Sequence, residues 1–198
     1  MDEINYLYHY YNKDEPPFRT LTSLAYNEAK VVICSELPEN AKFDVDNFLE
    51  KRYERDKLLR EKFISIGGKP IRTSPVYFTL GPNEGMKTWF NKPDWIKIPF
   101  IDFDPLTVSF TYGDSFAVFN PSLNTGEEWW GNIYFYDKMQ QLIEKYGFPE
   151  DPLYDMQKRI FPKDKHINNY LKFIEAHIWS DETLSKYCKK NNDNIKEN

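Results

Sequence analysis

Alternation of large side chains within three aromatic-rich segments most limits the folds open to this chain. The segments are Tyr6-Leu7-Tyr8-His9-Tyr10-Tyr11, Val108-Ser109-Phe110-Thr111-Tyr112-Gly113-Asp114-Ser115, and residues 170–179, which contain Glu175 and His177. Residues 4–11 carry too many aromatics for a surface helix and read as a strand, with Ile4, Tyr6, Tyr8 and Tyr10 on one face and Leu7, His9 and Tyr11 on the other. Burying a lone His or Glu in such a run costs several kcal/mol unless it is paired. Side by side, the three strands would make one pocket.

A chain of 198 residues is long enough to bury most of its apolar surface without covalent staples. With aromatics at 17% and fourteen Tyr, the core must be laced with side-chain hydrogen bonds. A net charge of −5 leaves no broad basic surface for nucleic acid. Cys34 and Cys188 are far apart and outside any metal-binding spacing. The N-terminus lacks a signal-peptide pattern, and no run approaches the ~18 apolar residues of a membrane helix. A cytoplasmic protein without membrane attachment is expected.

The remaining pattern alternates helices with short strands. Thr22 or Ser23 is placed to cap a helix through Leu24–Ile33, ending at Glu36-Leu37-Pro38. A longer helix is expected from about Asp46 to Ile66, with Leu49, Tyr53, Leu59, Phe63 and Ile66 as its apolar stripe and Gly67-Gly68 closing it. Its mixed-sign run, Glu50 to Lys62, reads as a solvated face. Strands are expected at 76–80, 96–101, 107–112 and 133–136. Asp137 then opens a helix closed by Gly147, 148–169 reads as irregular, and Ser180 caps a last helix. The expectation is α+β: one globular domain over 1–188, a largely antiparallel sheet flanked by helices, and a polar tail at 189–198.

Period two puts Leu171, Phe173, Glu175, His177 and Trp179 on one face of the last strand. Glu175 reads either as a structural carboxylate, paired to a Tyr hydroxyl or to Arg19 or Arg72, or as a catalytic one. His9 reads as an interior hydrogen-bonder or a site residue, His177 as a partner of Glu175, and His166 as a surface residue. Ser109 and Thr111 share one strand face, and Asp114 either closes an Asx-type turn or sits at a pocket rim. Phosphate loops, a Rossmann glycine pattern, a nucleophile elbow and zinc spacing are all missing, and no metal is expected.

Leu7-Tyr8-His9-Tyr10-Tyr11 with Pro17-Phe18-Arg19-Thr20-Leu21, the 108–115 segment, and Phe173-Ile174-Glu175-Ala176-His177-Ile178-Trp179-Ser180-Asp181 resemble a family of small, largely uncharacterised bacterial and phage proteins over residues 6–185. A more remote resemblance is to the ADP-ribosyltransferase fold, in the order of a first-strand His, a central Ser/Thr strand and a late-strand Glu. That resemblance implies NAD, with His9 contacting ribose, Ser109 or Thr111 as the middle element, and Glu175 orienting a ribose hydroxyl and stabilising an oxocarbenium-like centre. Catalytic Glu175 and His9, with Ser109, Thr111, Tyr112, Asp114, Tyr8, Arg19 and His177 as ligand-binding residues, form the candidate site. The partner implied is a small nucleotide-type ligand.

Two other classes stay open. A metal-assisted hydrolase would join Glu175, His177 and His9 to Asp102, Asp104 or Asp114. A non-catalytic protein would hold a ligand or a protein partner in an aromatic pocket, with Trp129-Trp130 as an interface anchor or a buried plug.

Overall fold

In chain order the elements are β1 (Tyr6–Asn12), α1 (Tyr26–Glu36), α2 (Val45–Ser65), β2 (Val76–Leu80), the one-turn α3 (Glu84–Lys87), β3 (Pro93–Pro99), β4 (Val108–Thr111), the one-turn α4 (Ser115–Val118), α5 (Tyr136–Tyr146), β5 (Ile174–Ile178) and α6 (Asp181–Lys196). They come from a computed structural model that describes residues 2–36, 43–124, 126–149 and 173–196, with the backbone alone for 2–3, 36 and 189–196. His166, the irregular stretch from 150 onward, residues 170–172 and the helix stop at Leu37-Pro38 lie outside the described residues.

The five strands form one antiparallel sheet in the order β3-β1-β2-β5-β4, so the architecture is α+β. Pro93 and Pro99 bound β3, which the sheet tolerates because β3 is an edge strand. At the opposite edge, residues 133–136 contribute only the single bridge Phe110↔Tyr134, because α5 already starts at Tyr136.

Register assigns the two faces. Leu7 pairs with Leu80 and Ile98, Phe78 with Ala176, and Val76 and Val108 with Ile178, which makes one face apolar. Met139 and Leu142 of α5 and Leu184 of α6 join these residues in the main core. The other face carries a row running Lys97, Tyr8, Thr79, Glu175, Thr111 and a second row Tyr77, His177, Ser109. Helix α2 covers this polar face through Leu59 and Phe63, which pack with Ile133 and Trp179.

Helix α2 ends as its glycines suggest. Gly67 has φ 102, its N–H donates to Ile64 O at 3.0 Å, and the Gly68 N–H donates to Phe63 O at 2.9 Å, which is a Schellman closure. A Cβ on Gly68 would stand 2.5 Å from the ring of Phe63, which is fully buried and stacked near Trp179. Gly68→Ala is therefore expected to destabilise by about 2 kcal/mol, read as a lowered midpoint in urea; an unchanged midpoint would show that the ring moves aside freely.

Three local expectations change in the structure, and one open alternative is decided. Helix α1 begins at Tyr26, and Thr22 is no cap, because its hydroxyl donates to the buried Asp56 carboxylate of α2. Asp137 falls inside the first turn of α5, whose start at Phe135 has no side-chain cap. Trp129 and Trp130 are buried, with Trp130 Nε1 donating to Glu127 at 2.8 Å, so they plug the core and anchor no exposed interface. Helix α6 continues to Lys196, past the boundary at 188, because no Pro or Gly interrupts the polar run. Ser180 does accept from the Glu182 N–H at 3.2 Å as expected. Among the described residues no helix is long and apolar enough to cross a membrane.

Candidate functional site

Beyond Tyr8 and Thr79, β1 and β2 stop pairing as a regular ladder, and His9 spans the gap. Its Nδ1 lies 2.9 Å from Tyr77 O, and its Nε2 accepts from the Phe18 N–H at 3.1 Å. A carbonyl can only accept and an amide N–H can only donate, so these partners require the neutral imidazole with its proton on Nδ1. Burial pushes the His9 pKa down to about 4, against a smaller opposing effect from the Tyr77 carbonyl. Phe18 takes an unusual φ of 64 to make its bond, and its ring packs 5.1 Å from the imidazole.

A cavity of about 350 Å³ lies over the polar sheet face, within the range of small-molecule sites. Tyr8, Thr79 and Glu175 line it from the sheet, Phe48 and Arg52 from α2, Thr20 and Leu21 from the turn before α1, and Trp89 and Phe90 from the loop after α3. Asp114, Arg19, Phe173 and part of His9 complete the wall.

Glu175 is 5% exposed. Its Oε2 accepts from the Ser115 N–H at 2.7 Å, and its Oε1 accepts from Ser115 Oγ at 3.2 Å. His177 Nε2 stands 3.4 Å from Oε1, close enough for electrostatic contact but outside hydrogen-bond geometry. Burial alone would raise the Glu175 carboxyl; His177, the Ser115 N–H and Arg52 together outweigh it and hold the group below the usual carboxylate range. A carboxylate offers about four acceptor positions, so Glu175 retains capacity toward the cavity.

Behind Glu175 runs a buried chain of polar groups. Trp179 Nε1 donates to Ser109 Oγ at 2.9 Å, and Oγ lies 3.2 Å from His177 Nδ1. With Oγ accepting from Trp179, its own proton is free for Nδ1, which leaves the imidazole proton on Nε2 facing Glu175. Ser109, His177 and Glu175 thus resemble the order of a hydrolytic triad. Ser109 is wholly buried, however, and no substrate reaches it. The chain orients Glu175.

The candidate residues therefore divide. Glu175, Tyr8, Arg19, Asp114 and His9 border one cavity, but His9 alternates with Tyr8 and its ring points into the apolar face among Phe18 and Phe78. Ser109, Thr111 and His177 share Glu175's face without lining the cavity, and the Tyr112 hydroxyl donates to Gly147 O on the far side. Thr111 Oγ1 donates to Gly113 O. Arg19 makes only a half-exposed contact with Glu15 at 3.9 Å, and Arg72 pairs with Asp181, so neither is the partner of Glu175. Asp114 Oδ1 accepts from the Phe116 N–H at 2.7 Å, which is the Asx turn, and the residue also stands on the cavity rim. Burial, reinforced by Glu175, raises the Asp114 pKa to about 6.

Arg52, Asp56 and Tyr77 belong to the site without standing out in the sequence. The Arg52 guanidinium lies 4.1 Å from the Tyr77 ring centroid, and the Tyr77 hydroxyl donates to Asp56, which is 2% exposed. Positions 49, 52, 56, 59 and 63 follow a 3-4-3-4 spacing, so the apolar stripe of α2 itself carries these two charges. That interruption was the available signal.

Among the described residues, no group of three or more His, Cys, Asp or Glu is placed to hold a metal ion, and the metal-assisted arrangement loses His9 to the opposite face. No family model, curated protein or solved structure matches the chain.

Proposed function

We propose that the cavity binds a ribose-bearing nucleotide ligand of the NAD or ADP-ribose kind, on which Glu175 acts as the catalytic carboxylate of a transferase-type reaction. The observation that carries this reading is a buried carboxylate, ionised at neutral pH, on the floor of an aromatic-walled cavity. Trp89, Phe90 and Tyr8 offer faces to a planar ring, and Arg52 and Arg19 offer cationic donors to an anionic tail. Glu175 accepts from a ribose hydroxyl and stabilises positive charge developing at the neighbouring carbon as the glycosidic bond breaks, with the electron pair leaving on the departing base. Little acid–base work is needed, so orientation carries much of the rate. The ribose-positioning role of His9 passes to groups facing the cavity, Arg52 foremost.

A second reading, ligand binding without turnover, is favoured by one observation: Ser115 and His177 already surround both Glu175 oxygens, an arrangement that also suits a carboxylate that only orients a ligand.

Calorimetric titration of wild type and Trp89→Ala with NAD and ADP-ribose tests the site. Saturable binding is expected, weakened roughly tenfold in Trp89→Ala, since stacking on one aromatic is worth about 1–3 kcal/mol. If neither ligand binds wild type, the nucleotide reading falls.

A further inference from the structure

We propose that Asp114 is a second catalytic carboxylate, the base that takes a proton from a water attacking the ribose, and that this water enters through a second cavity that Asp114 also borders. The reaction is then the hydrolysis of an N-ribosyl bond. The inference rests on the nucleotide reading of the Glu175 cavity and adds to it the nucleophile, its route and its base.

Asp114 borders both the aromatic-walled cavity over Glu175 and a second one of about 610 Å³, which α2 lines through Lys51, Glu54 and Arg55. Lys51 and Glu54 are exposed, which opens this second space to water. As the N-cap of α4, Asp114 uses Oδ1 to accept from the Phe116 N–H at 2.7 Å. Its Oδ2 has no hydrogen bond among the described residues and is not sealed from solvent. The next residue, Ser115, donates its N–H and its hydroxyl to Glu175, so one turn of chain holds the two carboxylates in place. Their surroundings differ. Against the effect of burial, His177, the Ser115 N–H and Arg52 hold Glu175 below the usual carboxylate range. Burial and the Glu175 charge instead raise Asp114 to about 6, outweighing the Phe116 and Ala117 N–H groups and Arg52. Lys51, Glu54 and Arg55 are the charged groups beside it in the second cavity. Such divergence separates an ionised stabiliser from a base whose proton affinity suits neutral pH.

The carbon–nitrogen bond breaks with its electron pair leaving on the departing base, so a cationic nicotinamide ring departs neutral and needs no proton. The nucleophile, however, must lose one. The water oxygen forms the new bond to the same carbon, its proton passes to Oδ2 of Asp114, and from there it returns to solvent through the second cavity. NAD and water thus become ADP-ribose, nicotinamide and a proton.

NAD turnover by wild type, Asp114→Asn and Asp114→Ala, followed as nicotinamide and ADP-ribose from about pH 5 to 8, tests the base. Wild type is expected to form the two products in equal amounts, with kcat falling below about pH 6. Asn keeps an acceptor for the Phe116 N–H, so Asp114→Asn folds. Its kcat is expected to drop about a hundredfold with KM little changed and the acid limb of the profile gone. Azide, a nucleophile with no proton to remove, is expected to restore nicotinamide release in Asp114→Ala and to appear in the product. Wild-type kcat in Asp114→Asn overturns the base, as does a folded Asp114→Ala that azide fails to rescue, the result expected if the side chain only caps α4. Nicotinamide released without free ADP-ribose overturns water as the nucleophile. Each of these outcomes leaves the reading of Glu175 standing, whereas a wild type that releases no nicotinamide overturns both.

Discussion

His9→Ala is expected to lower stability by about 3–5 kcal/mol, the range for emptying a buried ring site, with two backbone groups stripped of partners besides. The removed ring links the Tyr77 carbonyl to the Phe18 N–H, and it packs between Phe18 and Phe78. The same residue makes stability depend on pH, with a definite sign. Its ordinary pKa of 6.5 falls to about 4 in the fold, so between those values the unfolded chain binds a proton that the folded chain refuses. His9 thus contributes fully above pH 6.5 and loses its contribution as the pH falls toward 4, for a total of about 3 kcal/mol. Asp114 acts oppositely over nearly the same range. Its pKa rises from 3.8 to about 6, so the folded state gains protons first and is favoured as the pH falls. Urea unfolding of Asp114→Asn between pH 7.5 and 4 removes that opposing contribution, and a marked loss of stability on acidification is expected. A flat profile in that variant, or an identical slope in Asp114→Asn/His9→Gln, would show that the imidazole does not carry the effect.

If the cavity supports the proposed transferase reaction, Glu175→Gln is expected to leave the fold in place and to lower turnover by about a hundredfold or more, the scale of a lost electrostatic contribution to a transition state. Gln keeps the shape and one oxygen able to accept from the Ser115 N–H at Oε2's position, so the structural cost should stay near 1–2 kcal/mol. The negative charge is what changes. Wild type holds Glu175 below its ordinary value of 4.5, so the charge is present throughout neutral pH and is lost only as the pH falls through that lowered value. Release of nicotinamide from NAD, measured beside the thermal midpoint of both proteins, separates the outcomes. A folded variant with full activity removes Glu175 from the chemistry. Ligand binding by wild type with no product at any enzyme concentration instead favours the reading without turnover.

Local rules carried the elements whose determinants lie close together in the chain. Alternation in Tyr6–Tyr11 and in Ile174–Ile178 is a period-two pattern, and it correctly put Glu175, His177 and Trp179 on one face. The Gly67 turn needs only a residue tolerant of positive φ, and Ser180 needs only the next two residues to cap α6. Where two signals competed, local reading failed. Thr22 resembles a cap as much as it resembles a hydrogen-bond donor to a residue 34 positions away, and only the packing of α2 decides which partner it meets. The charges of α2 looked solvated because their neighbours in sequence are charged. Arg52 and Asp56 nonetheless fall on the stripe with Leu49, Leu59 and Phe63, and the aromatic Tyr77 beneath them makes their burial tolerable.

The sequence by itself determined an α+β composition of strands and helices and that Glu175 and His177 would share a face with each other, and among the described residues no helix is long and apolar enough to cross a membrane. Those properties follow from side-chain period and composition, which act over a few residues. Only the tertiary structure decided that His9 turns away from Glu175, that Ser115 and His177 are the carboxylate's partners, and that Arg52 closes over the cavity. These depend on strand order and register. Pairing β1 with β2, and β2 with β5, brings together residues some 70 to 100 positions apart, and no local preference encodes which of several compatible strands will lie side by side.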